Sequence, residues 1–66
     1  MTKILVHIDY INEVKGTFEF EYNYNGSFQE FLNETQRQAT INGKYTFDSI
    51  VVDRKEIKSI WYKEKK

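Results

Sequence analysis

The stretch Thr17–Glu30, TFEFEYNYNGSFQE, decides the fold class of this chain. Phe18, Phe20, Tyr22 and Tyr24 fall on every second position, with Thr17, Glu19, Glu21 and Asn23 between them. Side chains alternate across a strand, so the stretch has one apolar face and one polar face. Asn25-Gly26 then breaks the alternation. Ser27 followed three residues later by Glu30 reads as a capping box that opens a helix. A strand, a turn, a helix start and the core-facing side are thus set within one short segment.

Working outward, Ile4, Val6, Ile8 and Tyr10 alternate with Lys3, Leu5, His7 and Asp9, which predicts a first strand over 2–11. Asn12 to Gly16 is a short loop, so strands 2–11 and 17–24 form an antiparallel hairpin. The helix is expected over 28–40, with Phe28, Phe31, Leu32, Thr35 and Ala39 on one stripe and Asn42-Gly43 as its stop. Phe18 and Phe20 are expected to pack under Phe31 and Leu32. A third strand is expected over 44–52, although Ile50-Val51-Val52 is apolar on both of its faces. Asp53 to Glu56 is a tight connection, Asp53 capping one helical turn. A fourth strand covers 57–63, and Lys63 to Lys66 is expected to fray.

These elements predict one α+β domain over 1–66, ββαββ. Its four-stranded mixed sheet would run in the order 2-1-4-3, with strands one and four as parallel central neighbours and the helix on one face. The layout, together with Asn42-Gly43-Lys44-Tyr45-Thr46-Phe47-Asp48 at the helix-to-strand corner, resembles the β-grasp domains of bacterial immunoglobulin-binding proteins. The resemblance implies the fold and carries no binding residue or activity.

Composition narrows the function classes. Sixty-six residues without cysteine exclude disulfides and thiolate metal sites. His7 is the one imidazole, so a metal site would need carboxylates beside it, and no metal or cofactor is expected. Aromatics make up 17% of the chain and supply the packing that staples provide in other small scaffolds. The formal net charge is zero. Residues 1–43 hold three basic side chains (Lys3, Lys15, Arg37) against six acidic ones (Asp9, Glu13, Glu19, Glu21, Glu30, Glu34). Residues 44–66 hold seven basic (Lys44, Arg54, Lys55, Lys58, Lys63, Lys65, Lys66) against four acidic (Asp48, Asp53, Glu56, Glu64). Ile4 to Ile8 is too short for a membrane span or signal segment, which leads to the expectation of a cytoplasmic protein.

Catalytic constellations are thin. His7 with Asp9 two residues on is a base with an orienting carboxylate, but Ser27, Ser49 and Ser59 lack nucleophile-elbow glycines. Glu19 and Glu21 share the polar face of a strand, where charge keeps an edge soluble. Gly16, Gly26 and Gly43 are isolated and make no phosphate loop. The chain is therefore expected not to be an enzyme.

Two binding readings remain. A helix covers only one sheet face, and Leu5, His7 and Ile11 point to the other. Strand four offers Ile57 and Trp61 on one parity, Ile60 and Tyr62 on the other, so one set joins them. An apolar patch on a small domain marks an interaction surface, with Trp and Tyr as its usual anchors. The expected function is a protein-protein interaction module, an inhibitor or adaptor of phage or mobile-element type. It would bind a larger protein or a second copy of itself through Leu5, His7 and Trp61 or Tyr62, or through an edge strand. The alternative is a nucleic-acid-binding or transcription-associated protein using the basic segment 54–66, with Arg54, Lys55, Lys58 and Lys63 on phosphates.

Overall fold

Ile4, Val6 and Ile8 have no exposed surface, and the fold is arranged around them. In the computed structural model, which describes residues 1–65, they lie on β1 (Thr2–Tyr10), the middle strand of a three-stranded sheet. β2 (Thr17–Tyr24) pairs antiparallel with β1, placing Tyr22, Phe20 and Phe18 opposite Ile4, Val6 and Ile8. The alternation in the deciding stretch thus becomes one core-facing row. β1 ends at Tyr10 rather than Ile11. The Ile11 amide leaves the ladder and donates to the Glu56 carbonyl at 2.9 Å.

The helix α1 (Phe28–Asn42) starts as its sequence dictates. The Glu30 amide donates to Ser27 Oγ at 3.1 Å, and the Glu30 carboxylate accepts from the Ser27 amide. Gly26 has φ of 151°, and a Cβ there would sit 2.6 Å from the Tyr24 ring, so a side chain at this corner is excluded. α1 runs two residues past Thr40 and stops at Gly43, whose left-handed φ of 69° lets its amide reach the Ala39 carbonyl. Phe31, Thr35 and Ala39 form the buried stripe.

The segment expected as one strand over 44–52 is two strands. β3 (Lys44–Phe47) and β4 (Ile50–Asp53) form a separate antiparallel hairpin with Phe47 opposite Ile50 and Tyr45 opposite Val52. Asp48, with φ of 54°, makes the reversal, a conformation that aspartate tolerates better than most residues. Packing explains the break. In one continuous strand Ile50 and Val52 would face away from Tyr45 and Phe47. The two-residue connection puts all four on one face, where Phe47 is 2% and Val52 4% exposed.

That extra reversal changes the topology. β5 (Ile57–Lys65) enters the sheet antiparallel to β1, not parallel, and the sheet order is β2-β1-β5 with β3-β4 outside it. The four-stranded order 2-1-4-3 and its parallel central pair, the mark of the β-grasp arrangement, are not formed. Between β4 and β5 the turn Arg54–Glu56 is a single 3-10 turn capped by Asp53, whose carboxylate accepts from the Lys55 amide at 2.9 Å. β5 remains paired through Lys65, past the expected fraying point, and Lys66 lies outside the described residues.

Aromatic rings close the core. Phe31 meets Tyr62 at 5.0 Å, Tyr24 at 5.4 Å and Tyr22 at 5.9 Å between centroids. Phe20 packs on Phe47 at 5.3 Å instead of lying under Phe31. Phe31 of the helix thus meets Tyr22 and Tyr24 of β2, Phe47 of the hairpin meets Phe20 and Tyr22, and Phe18 stays 39% exposed.

Candidate functional site: the open sheet face

Antiparallel pairing on both sides of β1 builds a grid on the face turned away from α1. In one row Glu21, Leu5 and Lys63 are neighbours, in the next Glu19, His7 and Trp61, and in the third Thr17, Asp9 and Ser59. The register resolves the parity of the last strand. Trp61 stands opposite His7 on the open face, and Tyr62 stands opposite Val6 on the core face. Of the anticipated contact residues, Leu5, His7 and Trp61 are brought together. Tyr62 is not among them: its ring packs on Phe31 and its hydroxyl is buried without a hydrogen-bond partner among the described residues. Burial pushes the Tyr62 phenol far up from its ordinary value, with Tyr45 adding to the effect. Ile11 has left the sheet for the loop, where it is exposed.

The middle row is held by polar contacts from three strands. His7 Nδ1 lies 2.8 Å from Glu19 Oε2 on β2, and His7 Nε2 lies 3.1 Å from Asp9 Oδ1. Asp9 also accepts from Thr17 Oγ1 at 2.9 Å and from Ser59 Oγ at 2.8 Å. The indole of Trp61 lies flat on the imidazole, with centroids 4.6 Å apart and planes 10° from parallel. Trp61 remains 44% exposed. These contacts set the charge states. The bond to Glu19 raises the pKa of His7 above 6.5 despite partial desolvation, with Asp9 adding to the rise. Donors from Ser59 and Thr17 hold the Asp9 carboxyl below its ordinary value.

Beyond this row, Lys65 Nζ bonds Glu21 Oε1 at 2.6 Å across β1, and Lys3 lies 4.0 Å from the same carboxylate. Lys65 lowers the Glu21 pKa. The cations proposed for nucleic acid do not converge. Arg54 and Lys55 sit in the 3-10 turn, Lys58 is exposed where the β1–β5 register shifts beside Tyr10, and Lys63 stands next to Leu5 on the open face.

With a carboxylate at each nitrogen, the protonated ring can donate to both, whereas the neutral ring can donate to only one. The Ser59 hydroxyl is bound to Asp9 rather than to His7, so the order of contacts is not that of a nucleophile activated by histidine. Among the described residues no group of three or more histidine or carboxylate side chains is disposed to hold a metal ion, and no helix is long and apolar enough to cross a membrane.

The cross-strand set Glu19–His7–Trp61 was not legible from sequence. It needs the antiparallel register of β5, and Glu19 and Trp61 lie 42 positions apart in the chain. Asp9 beside His7 was legible, because i and i+2 on a strand share a face. Compared with protein-family models, with curated proteins and with solved structures, the chain matches none.

Proposed function

We propose that this protein is a non-enzymatic protein-binding module whose docking surface is the open face of the β2-β1-β5 sheet. The observation that carries the reading is Trp61. It is the one tryptophan of the chain, it is 44% exposed on the face turned away from α1, and its indole stacks flat on His7. A rigid indole loses little conformational entropy on binding, and tryptophan is enriched among the residues that dominate interface energetics. Leu5 supplies apolar surface beside it, and the ion pairs of Glu21 with Lys65 and Lys3 form a polar rim. The Ser59 hydroxyl bonds Asp9 rather than His7, which speaks against a histidine-activated serine nucleophile at this site.

The module acts as an inhibitor or adaptor, contributing a surface and no chemistry. Paired pull-downs from lysate with and without nuclease test this, with wild type against Trp61→Ala and bound proteins quantified by mass spectrometry. The expected result is one protein at near-equal stoichiometry with wild type, reduced at least ~10-fold by the substitution, the loss typical of a tryptophan anchor. Equal recovery with both proteins would remove Trp61 from the contact. Recovery abolished by nuclease would favour the segment 54–66 acting on nucleic acid.

A further inference from the structure

We infer that the docking face is proton-operated: His7 in its imidazolium form clamps β1, β2 and Trp61 together, and loss of one proton releases Glu19 and loosens the indole. The inference rests on the open face being the docking surface and adds its regulation.

The geometry carries it in three steps. First, both ring nitrogens face carboxylate oxygens, at 2.8 Å to Glu19 and 3.1 Å to Asp9. A neutral imidazole has one N–H and one lone pair, so it satisfies one of these acceptors and repels the other. Second, the two carboxylates differ in freedom. Asp9 is fixed by donors from Thr17 on β2 and Ser59 on β5 as well as by His7. Glu19 has no other hydrogen bond among the described residues, stands on an edge strand and has a half-exposed side chain. Glu19 is therefore the partner that leaves. Third, the Trp61 indole lies on the His7 ring at 4.6 Å, and a cation over an indole face is attracted by the ring quadrupole. Neutralising the imidazole removes that attraction and its first carboxylate brace together.

The two carboxylates that bond His7 outweigh the one cation in the adjoining row, Lys63, which does not bond the ring. From β1 comes Asp9, from β2 Glu19 with Glu21 one row on, and from β5 the uncharged Trp61, with Ser59 and Lys63 in the adjoining rows. Lys65 and Lys3 are engaged with Glu21, and α1 lies on the opposite face of the sheet. The two carboxylates that bond the ring both favour its charged form, so the clamp is closed on the acid side. It opens as the pH rises through a His7 midpoint that lies above 6.5. Asp9, held below its ordinary value, stays ionised across that range. Opening changes the charge of the His7–Asp9–Glu19 group from −1 to −2 and frees the anchor side chain, so both electrostatics and preorganisation change on the docking face.

One histidine and one tryptophan make the test direct. The His7 ring protons are titrated by NMR, and Trp61 fluorescence is followed over the same pH range on the isolated chain. Circular dichroism confirms that the fold is kept. The expected result is a His7 midpoint above 6.5 and a rise in Trp61 emission at that midpoint, as the stacked imidazolium that quenches it disappears. Glu19→Gln lowers both midpoints together, and His7→Gln gives a flat emission profile. A His7 midpoint at or below 6.5 overturns the inference. So does a flat Trp61 profile while His7 titrates, or a Trp61 transition that Glu19→Gln does not move. Because no partner is present, failure here leaves the Trp61 binding result standing, and failure of that binding result leaves the titration standing.

Discussion

At the scale of single residues, the chain separates neighbours into opposite roles. Trp61 and Tyr62 have similar apolar bodies and polar tips, yet one lies on the open face and the other in the core. Their sequence could not distinguish them, since Ile60 and Tyr62 form as good an inward pair as Ile57 and Trp61. The choice is made by β1, whose Ile8 and Val6 stand opposite Ile60 and Tyr62. The cost appears at the Tyr62 hydroxyl, which is buried without a partner among the described residues while its ring packs on Phe31 and Phe47. An unsatisfied buried hydroxyl costs about 1–3 kcal/mol, so Tyr62→Phe is expected to stabilise the fold by about 1 kcal/mol or more. Chemical denaturation of the two proteins checks this. A loss of stability would mean that the hydroxyl has a partner in solution.

At the scale of elements, legibility follows how local the determining contacts are. The hairpin β1–β2 and the helix were readable because alternation, the Ser27–Glu30 box and Gly43 act within a few residues of one another. The β3–β4 hairpin was not, because residues 44–52 alternate well enough for a single strand. The conflict lay in Ile50 and Val52, apolar on the wrong parity, and Asp48-Ser49 was the turn chemistry that resolves it. Asp48 in the left-handed region is thus the hinge of the topology. Replacement by a β-branched residue is expected to cost about 1–2 kcal/mol, whereas Asp48→Gly is neutral or stabilising. Thermal unfolding of Asp48→Val and Asp48→Gly separates the two. Equal stability would indicate that the reversal does not depend on this residue's backbone.

At the scale of the whole molecule, the layers divide the labour. The core joins β1, α1 and the β3–β4 hairpin through Ile4, Val6, Ile8, Phe31, Phe47 and Val52. A domain of this size has only a few kcal/mol of stability from such a core. One sheet face is committed to it, which leaves the other face to carry polar rows and Trp61. Half of the site could be read from sequence: Leu5, His7 and Asp9 share a face by strand alternation alone. Glu19 and Trp61 join them only through pairing across the sheet, and the direction of β5 depended on a reversal one hairpin upstream. The docking reading is tested most directly by placing a photo-crosslinking amino acid at Lys63, beside Trp61's row, and in a second protein at Asn33 on the exposed side of α1. Both are irradiated in nuclease-treated lysate. The expected result is a single protein adduct from position 63 and none from position 33. An adduct from position 33 alone would place the contact on the helix and contradict it.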